Sequence, residues 1–221
     1  MLNRLINKVT IKMWLLFLIL SQAIYLFMQI YTIPRIRHEA AGLFIFDMKP
    51  LGYTHEYATT FLSHLTEKGY ELYTYVQLPL DLLFPLLNCL TGLCTFILLT
   101  RLSQNSKSKY SMIVLSLPFI AMVADYLENI MIFIMLSYKS AVPIHIVYIS
   151  DIFTICKSIS TTIFYMIIIF LCIIYGITWI KNRNKEQQTN GNIRSKREED
   201  SAFESIDIGR DAQSTEKQKS Q

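Results

Sequence analysis

The stretch YTYVQLPLDLLFPLLNCLTGLCTFILLT, Tyr73 to Thr100, decides the fold: it is long enough to cross a bilayer, and Asp81 is its only charge. A carboxylate in such a span costs a few kcal/mol at the helix centre, so it faces a partner or a water-filled cavity. Three further apolar blocks accompany it. Residues 13–33 carry no charge, residues 111–138 contain only Asp125 and Glu128, and residues 144–180 are interrupted by Asp151 and Lys157. Backbone groups in lipid are satisfied within helices or closed barrels, and these blocks show no two-residue alternation. The sequence therefore predicts an all-α fold, a four-helix transmembrane bundle. Its domain is residues 13–180, with residues 1–12 preceding it and 181–221 following.

Charge placement orients the chain. Arg4, Lys8 and Lys12 precede the first span, Arg101, Lys107 and Lys109 fill the link between the second and third, and Lys181, Arg183 and Lys185 follow the fourth. Residues 34–72 instead mix both signs. The positive-inside rule places both termini and the link in the cytoplasm, with 34–72 as an outer loop. These basic residues border the membrane, so the expected partner is the lipid bilayer and no nucleic acid. Cys89, Cys94, Cys156 and Cys172 all fall in spans without a C-x-x-C pair, which disfavours a thiol oxidoreductase built on that motif.

The outer loop has structure of its own. Pro50-Leu51-Gly52-Tyr53 is a turn signal, Thr54 is placed to cap a helix, and Ala58, Phe61, Leu62 and Leu65 give one apolar face. A short amphipathic helix over 55–68, stopped by Gly69, is expected to cap the bundle. From Lys181 onward Asn, Gln, Ser, Lys and Glu dominate, a composition with too little apolar area to offset ordering entropy. A disordered cytoplasmic tail is expected there.

Helical spacing gathers the intramembrane polar residues. Asp125, Glu128 and Asn129 share one face of the third helix. Asp81 and Asn88 lie on a stripe of the second with Phe84 and Pro85, while Tyr148, Asp151, Thr154 and Ser158 form a stripe on the fourth, with Lys157 beside it. At about 1.5 Å per residue, Asp125 and Glu128 lie roughly 22 and 27 Å from Tyr110, and Asp81 roughly 30 Å from Arg101. All fall in the outer half, so a cavity open to the outer face is expected rather than a continuous pore. Four acids against one lysine are costly together unless protons or a cationic group share the site. Asp81, Asn88, Asp125, Glu128, Asn129 and Asp151 are the candidate ligand-binding residues, with Tyr148, Thr154, Lys157 and Ser158 in support. Pro79, Pro85 and Pro118 invite kinks beside them.

No G-x-S-x-G, H-E-x-x-H or P-loop pattern is present, and the spacing of His55, Glu56 and His64 does not support zinc. No metal or cofactor is expected, and no catalytic residue is assigned. The leading expectation is a membrane protein that binds a small amphipathic or cationic ligand, or protons. A small transporter, for which a homo-oligomer would supply a second gate, a lipid-modifying enzyme using a carboxyl general acid, and an assembly subunit are the alternatives.

The elements Phe46-Asp47-Met48-Lys49-Pro50-Leu51-Gly52-Tyr53, then Gly69 and Tyr73, then Asp81-Leu82-Leu83-Phe84-Pro85 and Asp125-Tyr126-Leu127-Glu128-Asn129 resemble a group of small uncharacterised four-helix membrane proteins. These share a D-x-x-F-P on helix two and a D-x-x-E-N on helix three. The resemblance covers residues 46–138 and implies no activity; relatives of this type carry Arg after the glycine, where this chain has Tyr70. In architecture alone the chain is similar to the sterol-isomerase and sigma-2-receptor-type fold, which gathers acids around an amine-binding cavity.

Overall fold

The computed structural model describes residues 8–102 and 111–218, so Arg4, Lys107 and Lys109 lie outside the described residues. Among the described residues the fold is all helical: α1 (Ile11–Phe27), α2 (Ile33–Glu39), α3 (His55–His64), α4 (Glu67–Leu72), α5 (Leu78–Leu102), α6 (Ser111–Tyr138) and α7 (Ile144–Gln218). Four helical runs are long and apolar enough to cross a membrane: Ile11–Glu39, Glu67–Arg101, Met112–Ala141 and Ile144–Lys185.

The first two runs exceed their expected bounds for one shared reason. In each, a π-helical turn joins two α segments: Met28–Thr32 between α1 and α2, and Tyr73–Gln77 between α4 and α5. Pro34 and Pro79 each follow their π turn by two residues, at the start of the next α segment, where a missing N–H is tolerated. Pro34 therefore does not end the first helix at residue 33, and the chain stays helical to Glu39. The two π turns meet: Thr32 Oγ1 donates to Gln77 Oε1, and Gln77 Nε2 reaches Met28 Sδ at 3.4 Å. At the opposite end, Trp14 Nε1 donates to Thr95 Oγ1 at 2.8 Å and Arg101 to the Val9 carbonyl at 2.7 Å.

The segment between the first two runs builds a cap. Ala58, Phe61 and Leu62 of α3 are buried, as the amphipathic pattern demands, with Ile36, Ile45, Phe46 and Tyr73. Phe46 is the hub, its ring centroid 4.8 Å from that of Tyr53 and 4.9 Å from that of Phe61. The expected helix over 55–68 is two helices. Leu65 is extended, and Thr66 caps α4 by accepting from Gly69 N at 3.2 Å. Gly69 is thus no stop; it lets α4 approach α2, where a Cβ would come within 2.8 Å of Glu39 Cβ.

The chain divides into two compact units, residues 1–172 and 173–221. The first contains the bundle and its cap. The second is the remainder of α7, whose helical backbone continues to Gln218. Residues 173–180 complete the fourth apolar run, and from Lys181 onward the sequence is polar.

Candidate functional site: an acidic cleft

Lys157 of α7 stands among three carboxylates. Its Nζ lies 2.5 Å from Glu128 Oε2 and 3.3 Å from both Asp47 Oδ1 and Asp125 Oδ1. Glu128 Oε1 accepts from Thr154 Oγ1 at 2.6 Å, and Asp47 Oδ2 from the Tyr73 hydroxyl at 3.3 Å. The oxygens of Asp47, Asp125 and Glu128 lie within 4.8 Å of one another, a spacing that could hold a metal ion. The ammonium of Lys157 takes that place.

Asp81 is differently placed. Its carboxylate accepts from Gln77 Nε2 at 2.7 Å, and no basic side chain among the described residues pairs with it. The π turn at Tyr73–Gln77 brings Gln77 over it. Four residues on, Pro85 has no N–H for the Asp81 carbonyl, and Asn129 Nδ2 fills the gap at 3.1 Å. Asn129 Nδ2 is 3.5 Å from Asp125 Oδ1, and Asn129 Oδ1 is buried without a partner. Asn129 thereby fastens the third helix to the second at the carbonyl that Pro85 leaves without an N–H.

A cleft of about 540 Å³ runs along this cluster. Its walls are the first helix, through Tyr25, Met28 and Ile33, and α7, through Ser158, Thr161 and Thr162. Asp81, Phe84 and Asn88 of the second helix and Asp125 of the third stand behind, and Asp47, Met48 and Pro50 form a roof. Asn88 Oδ1 accepts from the Tyr165 hydroxyl at 2.8 Å. With the second and third helices behind and the loop above, the free side lies between the first and fourth helices. Asp47, Met48 and Pro50 cover one end of the cleft.

Most of the candidate residues meet here. Asp81, Asn88, Asp125, Lys157 and Ser158 line the cleft; Glu128, Asn129 and Thr154 stand in the layer behind it. Two do not. Asp151 accepts from the Tyr53 backbone N–H at 2.6 Å, beside Gly52, and anchors the loop. Tyr148 shares the helical stripe but is 67% exposed and does not line the cleft. Sequence reasoning missed Asp47, which mixed charges assign to a solvated loop. The available signal was its setting: Phe44, Ile45, Phe46 and Met48 surround it, an apolar run unusual for a surface acid.

No family model matches this chain, no curated protein matches its sequence, and no solved structure matches its fold.

Proposed function

We propose that this chain is a multi-pass membrane protein, with both termini cytoplasmic, that binds a small amphipathic cation in the acidic cleft. One observation carries this reading: Asp81 lines a cleft of about 540 Å³ without a cationic partner among the described residues, while the one lysine is already shared by three acids. An unpaired carboxylate within a membrane span is expensive, and a ligand ammonium offsets that cost. The volume lies in the range of small-molecule sites, and Tyr25, Met28 and Phe84 give an apolar flank beside the acids. The resemblance adds support, since Asp47, Asp81, Phe84, Pro85, Asp125, Glu128 and Asn129 of its motifs all belong to the cleft or the layer behind it.

The test uses the full chain in lipid nanodiscs, titrated with a medium-chain primary amine and with the alcohol of equal chain length. Binding of the amine alone, abolished by Asp81→Asn in a protein of unchanged helicity, is the expected result. An Asp81→Asn protein that is folded and binds the amine as the parent does would refute it.

A further inference from the structure

We infer that the ligand is a single-chain amino alcohol, its ammonium on Asp81, its hydroxyls on the α7 wall and its chain leaving between the first and fourth helices; this rests on the reading above. The decisive contrast is among hydroxyl side chains within the spans. Thr91, Thr95, Ser137 and Thr154 each donate to a carbonyl four residues back, the usual way such a group is satisfied in an apolar helix. Ser158, Thr161 and Thr162 do not; no hydrogen bond to any described residue satisfies them. Thr74 and Ser160 also lack such a bond but lie outside the cleft, whereas these three line one wall of it together.

A hydroxyl without a partner at membrane depth costs free energy, so this wall calls for hydrogen-bonding groups in whatever fills the cleft. A simple alkylamine would satisfy Asp81 and leave the wall unpaired. A diol or polyol without an amine would do the reverse. The chain has its own place. Tyr25 and Phe84 stack at 5.8 Å between ring centroids, and with Met28 they form the apolar flank beside the side that faces lipid. A molecule with hydroxyls next to its amine and one hydrocarbon chain answers all three features.

The experiment compares, by calorimetric titration of the full chain in nanodiscs, a medium-chain 2-amino-1,3-diol, the primary amine of equal chain length, the diol lacking the amine, and the chainless amino diol. The long-chain amino diol is expected to bind tightest, with about a 3- to 10-fold advantage over the amine for each hydroxyl bond formed. The triple variant Ser158→Ala, Thr161→Val, Thr162→Val is expected to bind amine and amino diol alike, at the amine's affinity. Equal binding of amine and amino diol by the parent protein overturns the inference while leaving the cationic site intact. So does a triple variant that still discriminates between them. If the chainless amino diol binds as well as the long-chain one, the chain has no role and the ligand class is wrong. Binding of none of the amines overturns the cationic reading itself. Should the variant fail to fold, the parent protein's ranking of the four probes decides.

Discussion

Lys157 Nζ lies 3.3 Å from Asp47 Oδ1, tying the fourth membrane helix to a loop 110 residues earlier in the chain. That loop, the roof of the cleft, is fixed at two points. Asp47 holds it to the lysine and to the Tyr73 hydroxyl, and Tyr53 holds it to α7 through Asp151 and Ser150. The charges of the cleft and the closure of its loop end are thus one construction. A ligand ammonium that competes with Lys157 for Asp47 acts on the roof as well as on the acids.

Lys157→Met should be among the most destabilising substitutions in the chain. It leaves three carboxylates facing one another without their cation, and breaking a buried pair from one side costs about 3–5 kcal/mol. Thermal unfolding in detergent should show the loss. Adding Asp47→Asn should recover part of it, because one of the stranded charges is then removed. A Lys157→Met protein as stable as its parent would mean that the cluster contributes nothing.

Asp151→Ala should separate anchoring from binding. The carboxylate accepts from the Tyr53 backbone N–H at 2.6 Å, and hydrogen bonds to charged groups contribute about 1.5–3 kcal/mol. Stability should fall by roughly that amount. Affinity for a cationic amphiphile should stay at the parent value, since Asp151 does not line the cleft. A selective loss of affinity would return Asp151 to the binding site.

Four apolar blocks were enough to read the helical runs, and the third helix ends at Tyr138 where its apolar block ends. The first and second were longer than their hydropathy, since a π turn changes backbone phase without changing composition. Asp81, Asp125 and Glu128 were legible as a group because helical spacing fixes which face each occupies. Asp47 and Asp151 exchanged roles for the complementary reason. One lies in a loop, where no period constrains direction, and the other lies on the right stripe but beyond the end of the cleft. Which hydroxyls turn back on their own helix and which stay free was also invisible, because side-chain rotamers leave no mark on sequence.

Gly52→Ala should cost more than Gly42→Ala, although both glycines have positive φ, +93° and +84°. Each change carries the left-handed penalty, about 1–2 kcal/mol. At Gly52 the new Cβ also meets the Asp151 carboxylate, whereas at Gly42 it meets nothing within 4 Å. In an Asp151→Ala background the extra cost at position 52 should shrink, and a thermal-melt double-mutant cycle reads that coupling. Strict additivity would show that the two residues do not press on each other.

Asn129→Leu should cost about 1–3 kcal/mol by stranding the Asp81 carbonyl opposite Pro85. Pro85→Ala restores a backbone N–H four residues on, so in that background the same substitution should cost less. Denaturation midpoints of the four proteins measure the difference. If Asn129→Leu is equally damaging with alanine at 85, the side chain has a task other than satisfying the Asp81 carbonyl.

Tyr53→Phe should flatten the alkaline limb of stability. Burial is the main cause that raises the Tyr53 pKa above its ordinary value of 10.0, and the bond to Ser150 only partly opposes it. The unfolded chain releases this phenolic proton near pH 10 while the folded chain keeps it, so above that pH the unfolded state binds fewer protons. The contribution of Tyr53 is therefore fully present below about pH 10 and declines as pH rises beyond it. At neutral pH the Phe variant loses only the hydroxyl's bond to Ser150, about 0.5–1.5 kcal/mol. The gap between the two proteins should narrow from pH 10 upward, and chemical denaturation at neutral and alkaline pH measures it. A constant gap would mean that the Tyr53 hydroxyl reaches solvent.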